Sequence, residues 1–248
     1  MTSAAPVRSE PARRALDQTC VTVLGCGGLG VPAAWTLALG GVKRLRLVDP
    51  DVVELANLHR QVAFGQSDLG VPKVDALARW LQSRVPGLAI ERVVARVTAD
   101  TLDEVLRGCD AVVEGTDDTL SKFLVNDWAI RPGPGGRTRV ATIAAAIQRK
   151  GQVFTVTPHG ACYRCLFEEP PPPECVGTCA VAGVMGPAVG QVGAWAARSL
   201  LAVLQGQADP AESALLRLDP RGVHRTAVSP AGDCPCAASR LTGGRVHA

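Results

Sequence analysis

The sequence predicts an α/β fold, a Rossmann-like doubly wound sheet that is parallel in its N-terminal half and gains antiparallel strands in its C-terminal half. Three features carry that expectation. From Cys20 to about residue 130, apolar runs of strand length alternate with stretches of helical periodicity, the signature of parallel strands joined by crossover helices. A glycine-rich turn, GCGGLG at 25–30, stands between the first such run and the first helical stretch. Beyond the turn-rich RPGPGGR segment at 131–137, two apolar runs, VATIAAAI and GQVFTVTP, lie too close together for a helical crossover and should pair antiparallel.

Residues 1–17 are polar, proline-bearing and aperiodic, and read as a mobile arm or a short peripheral helix ahead of a single domain over 18–248. The domain opens with the strand-like VTVLG and a helical stretch from Gly28 to Leu39. The run LRLVD follows, then an amphipathic stretch with Val74, Leu77, Ala78 and Leu81 on one face. Apolar runs at 90–97 and 111–114, with helical segments after Asp100 and Asp118, extend the alternation. The loop EEPPPPE at 168–174 is charged and proline-rich and should be extended and exposed. Val184 to Leu204 is the most apolar stretch, but Gln191 and Arg198 interrupt it, so it reads as a buried core helix rather than a membrane span.

Composition narrows the function. A formal net charge of +3 with acids and bases interspersed gives no footprint for nucleic acid or a membrane surface. The opening MTSAAPVRSEPARR has no apolar core of a signal peptide, which points to the cytoplasm. Nine cysteines in a reducing compartment point to metal or thiol chemistry rather than disulfides.

Gly25, Gly27 and Gly30 form GxGxxG where a strand hands over to a helix, the place where backbone approaches a phosphate and free N–H donors face it. Asp49 ends the next strand, where a carboxylate can accept hydrogen bonds from ribose hydroxyls. These features mark a nucleotide site that a nicotinamide dehydrogenase would share. The following DPDVVELANLHRQ and GVPKVDAL segments add Asn57, Arg60, Gln61 and Lys73. Two cations near a nucleotide's phosphates suit nucleotidyl transfer and are not needed for hydride transfer, although each alone could be a solvated surface charge.

GCGGLG, the Asp-x-Asp of Asp49 and Asp51, NLHRQ, the later lysine, GTDD at 115–118, CYRC at 162–165 and TCAVAGVMGPAVG at 178–190 together resemble the MoeB/ThiF/HesA family of E1-like adenylyltransferases. The resemblance implies ATP bound by Gly25, Gly27, Gly28, Gly30, Asp49, Asp51, Asn57, Arg60, Gln61, Lys73 and Asp117, with Asp49 on the ribose. It assigns Arg60 and Lys73 to the phosphates and Asp117 to Mg²⁺. It implies adenylation of the C-terminal glycine carboxylate of a small ubiquitin-like (β-grasp, Gly-Gly-ended) carrier, a separate sulfur donor protein and a homodimer. Residues 18–150 would then be the ATP-binding half and 151–248 the carrier-binding and zinc half. The family's N-terminal arginine segment is missing, with only Arg8, Arg13 and Arg14 nearby. Two rival readings stay open: a noncatalytic scaffold of the same fold and a nicotinamide oxidoreductase.

Cys162, Cys165, Cys234 and Cys236 supply four thiolates of the kind that hold structural zinc, the rival being two unrelated thiol pairs. The second pair is Cys-x-Cys, one residue shorter than the family's usual Cys-x-x-Cys. Cys179, with Cys175 behind it, aligns with a cysteine that carries the activated product covalently in some relatives and is dispensable in others. Cys20, Cys26 and Cys109 read as core thiols. None of His59, His159, His224 or His247 joins a recognisable constellation.

Overall fold

The computed structural model describes residues 16–172, 183–209 and 212–237. Its frame is an eight-stranded sheet whose order is β3-β2-β1-β4-β5-β6-β7-β8. The strands are β1 (Cys20–Leu24), β2 (Arg44–Val48), β3 (Ala89–Val93), β4 (Ala111–Glu114), β5 (Val140–Ile147), β6 (Lys150–Val156), β7 (Ala214–Asp219) and β8 (Gly222–Ala227). β1 pairs in parallel with both β2 and β4, β2 with β3, and β4 with β5. From β5 onward every pairing is antiparallel, as the crowded apolar runs predict. The chain reverses its direction of winding between β1 and β4, which opens a crevice beyond the carboxyl ends of those strands.

Besides the helical residues 16–18, five α-helices that lie wholly within the described residues cover the faces of this sheet: α1 (Gly30–Leu39), α2 (Lys73–Gln82), α3 (Leu102–Val105), α4 (Thr119–Ile130) and α5 (Gly186–Leu204). Alternation along the central strands feeds two cores. Val21 and Val23 of β1 join Leu37 of α1, Leu77 of α2 and Leu200 of α5 on one face. Leu24 of β1 and Val112 of β4 join Leu102 of α3 and Phe123 and Trp128 of α4 on the other. Both faces of β1 and β4 are covered, which is why these central strands read as apolar runs, whereas β3 at the edge is largely exposed. α5 lies directly on α1: a Cβ on Gly193 would stand 2.1 Å from the Leu29 carbonyl oxygen, so only glycine permits this approach.

Several expectations shift. Leu16 is buried in the first core, so packing starts inside the segment read as an arm, whose residues 1–15 lie outside the described residues. The run at 90–97 pairs only as far as Val93. The β7–β8 hairpin was not anticipated, although Asp-Pro-Arg-Gly at 219–222 is a turn sequence between two runs of strand length. Glu168, Glu169, Pro171 and Pro172 are exposed as expected; the remainder of that loop lies outside the described residues.

Candidate active site

The glycine turn begins one residue past β1, where Gly25 donates its N–H to the Val48 carbonyl at 2.8 Å and adopts φ +82°, a conformation that favours glycine. Gly30 serves a different purpose from its neighbours. A Cβ there would lie 1.7 Å from the Gly25 carbonyl oxygen, so this residue lets α1 start directly against the strand, and it does not line the cavity above. Gly25, Gly27 and Gly28 do line that cavity, which encloses about 1210 Å³ and also receives Asp49, Asp51, Asn57, Arg60, Gln61, Lys73 and Asp117. Sequence reasoning therefore places its nucleotide residues in one space, except Gly30, which shapes that space from behind.

Asp49, the residue after β2, is a buried carboxylate that accepts the backbone N–H of Cys26 at 2.6 Å and of Asp51 at 2.8 Å. Burial raises its pKa above the ordinary carboxylate value, against the pull of Lys73 and those two N–H donors. Lys73 opens α2 right after Pro72, which fixes the helix start. Its ammonium is buried, 2.8 Å from Asp51 and 4.0 Å from Asp49. Arg60 is held by Asn57, whose Oδ1 accepts from Nη2 at 2.6 Å. Gln61 is buried, and its Oε1 has no hydrogen-bond partner among the described residues, an acceptor left over at the cavity wall.

Asp117 lies in the turn after β4, exposed to the cavity, with no hydrogen bond or ion pair to the described residues. Its neighbour Asp118 does the structural work there as the N-cap of α4, accepting from Leu120 N–H at 3.2 Å and Ser121 N–H at 3.1 Å. Asp117 thus presents a carboxylate without a partner among the described residues to the cavity that Arg60 and Lys73 also line, suited to a hard cation that meets phosphate oxygens. Sequence reasoning missed Lys122 and the far end of the cavity, where Lys150, Arg217 and His224 come in from β6, β7 and β8 and Arg221 from the turn between the last two. Arg217, Arg221 and His224 are out of reach of sequence reasoning because the β7–β8 hairpin carries them to the cavity.

The cysteine tetrad assembles despite its shortened second pair. The sulfurs of Cys162, Cys165, Cys234 and Cys236 all lie within 4.8 Å of one another, with Cys162 to Cys234 at 3.4 Å, Cys165 to Cys236 at 3.6 Å and Cys162 to Cys165 at 3.9 Å. A tetrahedron with Zn–S bonds of about 2.3 Å has edges of roughly 3.8 Å, so the donor set fits zinc in kind and in spacing. Burial raises the Cys162 thiol well above its ordinary value and Cys234 to about 11 in the metal-free protein. Cys175 and Cys179 lie outside the described residues. Cys20, Cys26 and Cys109 are buried, as expected of core thiols.

Residues 2–236 match the family described as the ThiF family. The chain is 40% identical over 210 residues to a sulfur carrier protein adenylyltransferase of Thermus thermophilus, covering 82% of this chain and 76% of that one. It is 38% identical over 200 residues to the SAMP-activating enzyme E1 of Haloferax volcanii, covering 80% and 72% respectively. The adenylyltransferase and sulfurtransferase MOCS3 of Mus musculus is 40% identical over 214 residues, but the match spans only 45% of the mouse protein. Among solved structures, E. coli MccB with AMPCPP and MccA superposes with a TM-score of 0.76 at 19% identity, covering 91% of this chain and 68% of MccB, a likeness of fold. With a family match over nearly its whole length, the chain belongs to the ThiF family.

Proposed function

We propose that this protein uses ATP to adenylate the C-terminal glycine carboxylate of a small ubiquitin-like sulfur-carrier protein, releasing pyrophosphate. The observation that carries the reading is the convergence of the glycine turn, Arg60, Lys73 and Asp117 on one cavity at the strand-order reversal. A carboxylate oxygen of the carrier attacks the α-phosphorus of ATP. The bond from that phosphorus to the bridging oxygen breaks, pyrophosphate leaves, and the carrier becomes an acyl-adenylate. No protein nucleophile is needed.

The chain's part is binding and charge. The glycine turn lets backbone close on the phosphates, and Asp49, fixed by two backbone donors, accepts from the ribose. Gln61 offers its spare acceptor to the nucleotide. Lys73 and Arg60 stabilise charge developing on the phosphate oxygens, each already held by a partner. Asp117 is the residue to hold Mg²⁺, which when bound supplies neutralising charge to the phosphates. The four thiols hold structural zinc, tying the 234–236 segment to the 162–165 turn. We further assign the protein to the cytoplasm and to a homodimer, with sulfur delivered by a separate donor protein. A covalent role for Cys179 is separable from adenylation: Cys179→Ser retains exchange in either case and loses a carrier adduct on the enzyme only if the thiol carries it.

The test is ATP–pyrophosphate exchange with labelled pyrophosphate and Mg²⁺, run with each Gly-Gly-ended small protein of the source genome. Carrier-dependent exchange that Asp117→Ala abolishes is the expected result. Folded, zinc-loaded protein that exchanges with no carrier would shift the assignment to a noncatalytic scaffold.

A further inference from the structure

Glu114 closes β4 as a carboxylate with no exposed surface, one step from a turn that opens on the cavity. It accepts the Thr116 N–H at 3.0 Å, the Thr116 hydroxyl, the Ser121 hydroxyl at 3.0 Å and the Lys122 ammonium at 2.6 Å. Lys122, from the first turn of α4, is buried as well. Its three protons have three acceptors: Glu114, the Thr116 carbonyl at 2.9 Å and the Ala144 carbonyl at 2.9 Å. The ammonium borders the cavity yet has no donor to spare for a phosphate.

The three acceptors lie on three pieces of chain. Glu114 ends β4, Thr116 belongs to the turn that carries Asp117, and Ala144 is on β5, whose next residues also line the cavity. A buried ion pair adds little net stability over an apolar pair of the same shape, so stability alone does not account for one here. We propose that Lys122, locked on Glu114, is a positioning residue that fixes the 115–118 turn, and with it Asp117, against β5. The inference rests on the adenylation reading, which gives Asp117 its cation.

The test separates position from stability. Lys122→Met and the double variant Glu114→Gln/Lys122→Met are compared with the parent in three measurements: thermal midpoint, affinity for a nonhydrolysable ATP analogue without divalent ion, and Mn²⁺ binding by electron paramagnetic resonance in the presence of that analogue. Lys122→Met should melt early, because it strands the Glu114 charge. The double variant should recover the midpoint and bind the metal-free analogue within about twofold of the parent, yet bind Mn²⁺ about 10- to 100-fold more weakly. Should the double variant not fold, Lys122→Met, measured well below its midpoint, is judged by loss of Mn²⁺ affinity alone. Mn²⁺ binding within about twofold of the parent in the variant so judged overturns the proposal and leaves adenylation standing. A parent protein that shows neither Mn²⁺ binding with the analogue nor carrier-dependent exchange brings down the adenylation reading, and this inference with it.

Discussion

The two cations proposed to meet the phosphates are gripped before any ligand arrives, Lys73 by Asp51 and Arg60 by Asn57. Holding a charge in place beforehand avoids the cost of reorganising it as the reaction proceeds. Replacing either Lys73 or Arg60 by alanine should therefore slow carrier-dependent exchange by roughly 10²- to 10³-fold, read from initial rates. Asp49 adds a pH signature. Its folded-state pKa is raised, so the native chain holds this proton more tightly than the unfolded chain does. The burial penalty of the ionised form is felt above the raised value and vanishes below the unfolded value of 3.8. Calorimetric affinity for the ATP analogue should decline on acidification at a pH above that of an ordinary carboxylate, and Asp49→Asn should flatten this part of the profile. At this scale the sequence is readable where neighbours in the chain are neighbours in the site, as in NLHRQ. It is opaque for Glu114 and Lys122, eight positions apart across a strand-to-helix boundary, which look like two ordinary surface charges until the fold buries them together.

Among the elements, the glycines of two helices make opposite predictions. Gly30 starts α1 against backbone, and Gly30→Ala should cost about 3 kcal/mol or more in denaturant unfolding, because the clash is with a carbonyl that cannot swing away. Gly190 in α5 has nothing among the described residues within 4 Å of its added Cβ, so Gly190→Ala should raise stability by about 0.5–1 kcal/mol through backbone entropy. The first effect could be anticipated from the GxGxxG motif, and the second could not, because which face of α5 is crowded depends on where α1 lies. The β7–β8 hairpin shows the converse limit. Every residue of β8 is exposed, so the strand lacks the apolar run that announces a buried one, and its existence rests on backbone pairing with β7.

At the level of the whole molecule, the cavity runs from the glycine turn of the parallel half to Arg217 and Arg221 of the antiparallel half. The parallel half was legible because βαβ units repeat one local pattern. The far wall was not, since it is assembled by pairings between distant segments such as β6 with β7. The thiol tetrad joins residues 71 and 72 positions apart, so a zinc ion there closes a long loop. Removing it with a strong chelator, or by Cys236→Ser, should lower the melting midpoint by more than about 4 °C, the shift that about 1 kcal/mol produces in a domain of this size. An unchanged midpoint would mean the ion is absent or idle.

That long closure bears on what happens to a damaged copy. The exposed Glu168–Pro172 stretch lies after Cys162 and Cys165 and before Cys234 and Cys236. A protease cutting there leaves β1 to β6 on one fragment and α5, β7 and β8 on the other. The two pieces still share a ladder between β6 and β7, the seat of α5 on α1, and the thiol cluster. Nicked protein should therefore travel as a single particle in a sizing column and fall apart only when denaturant and chelator are applied together.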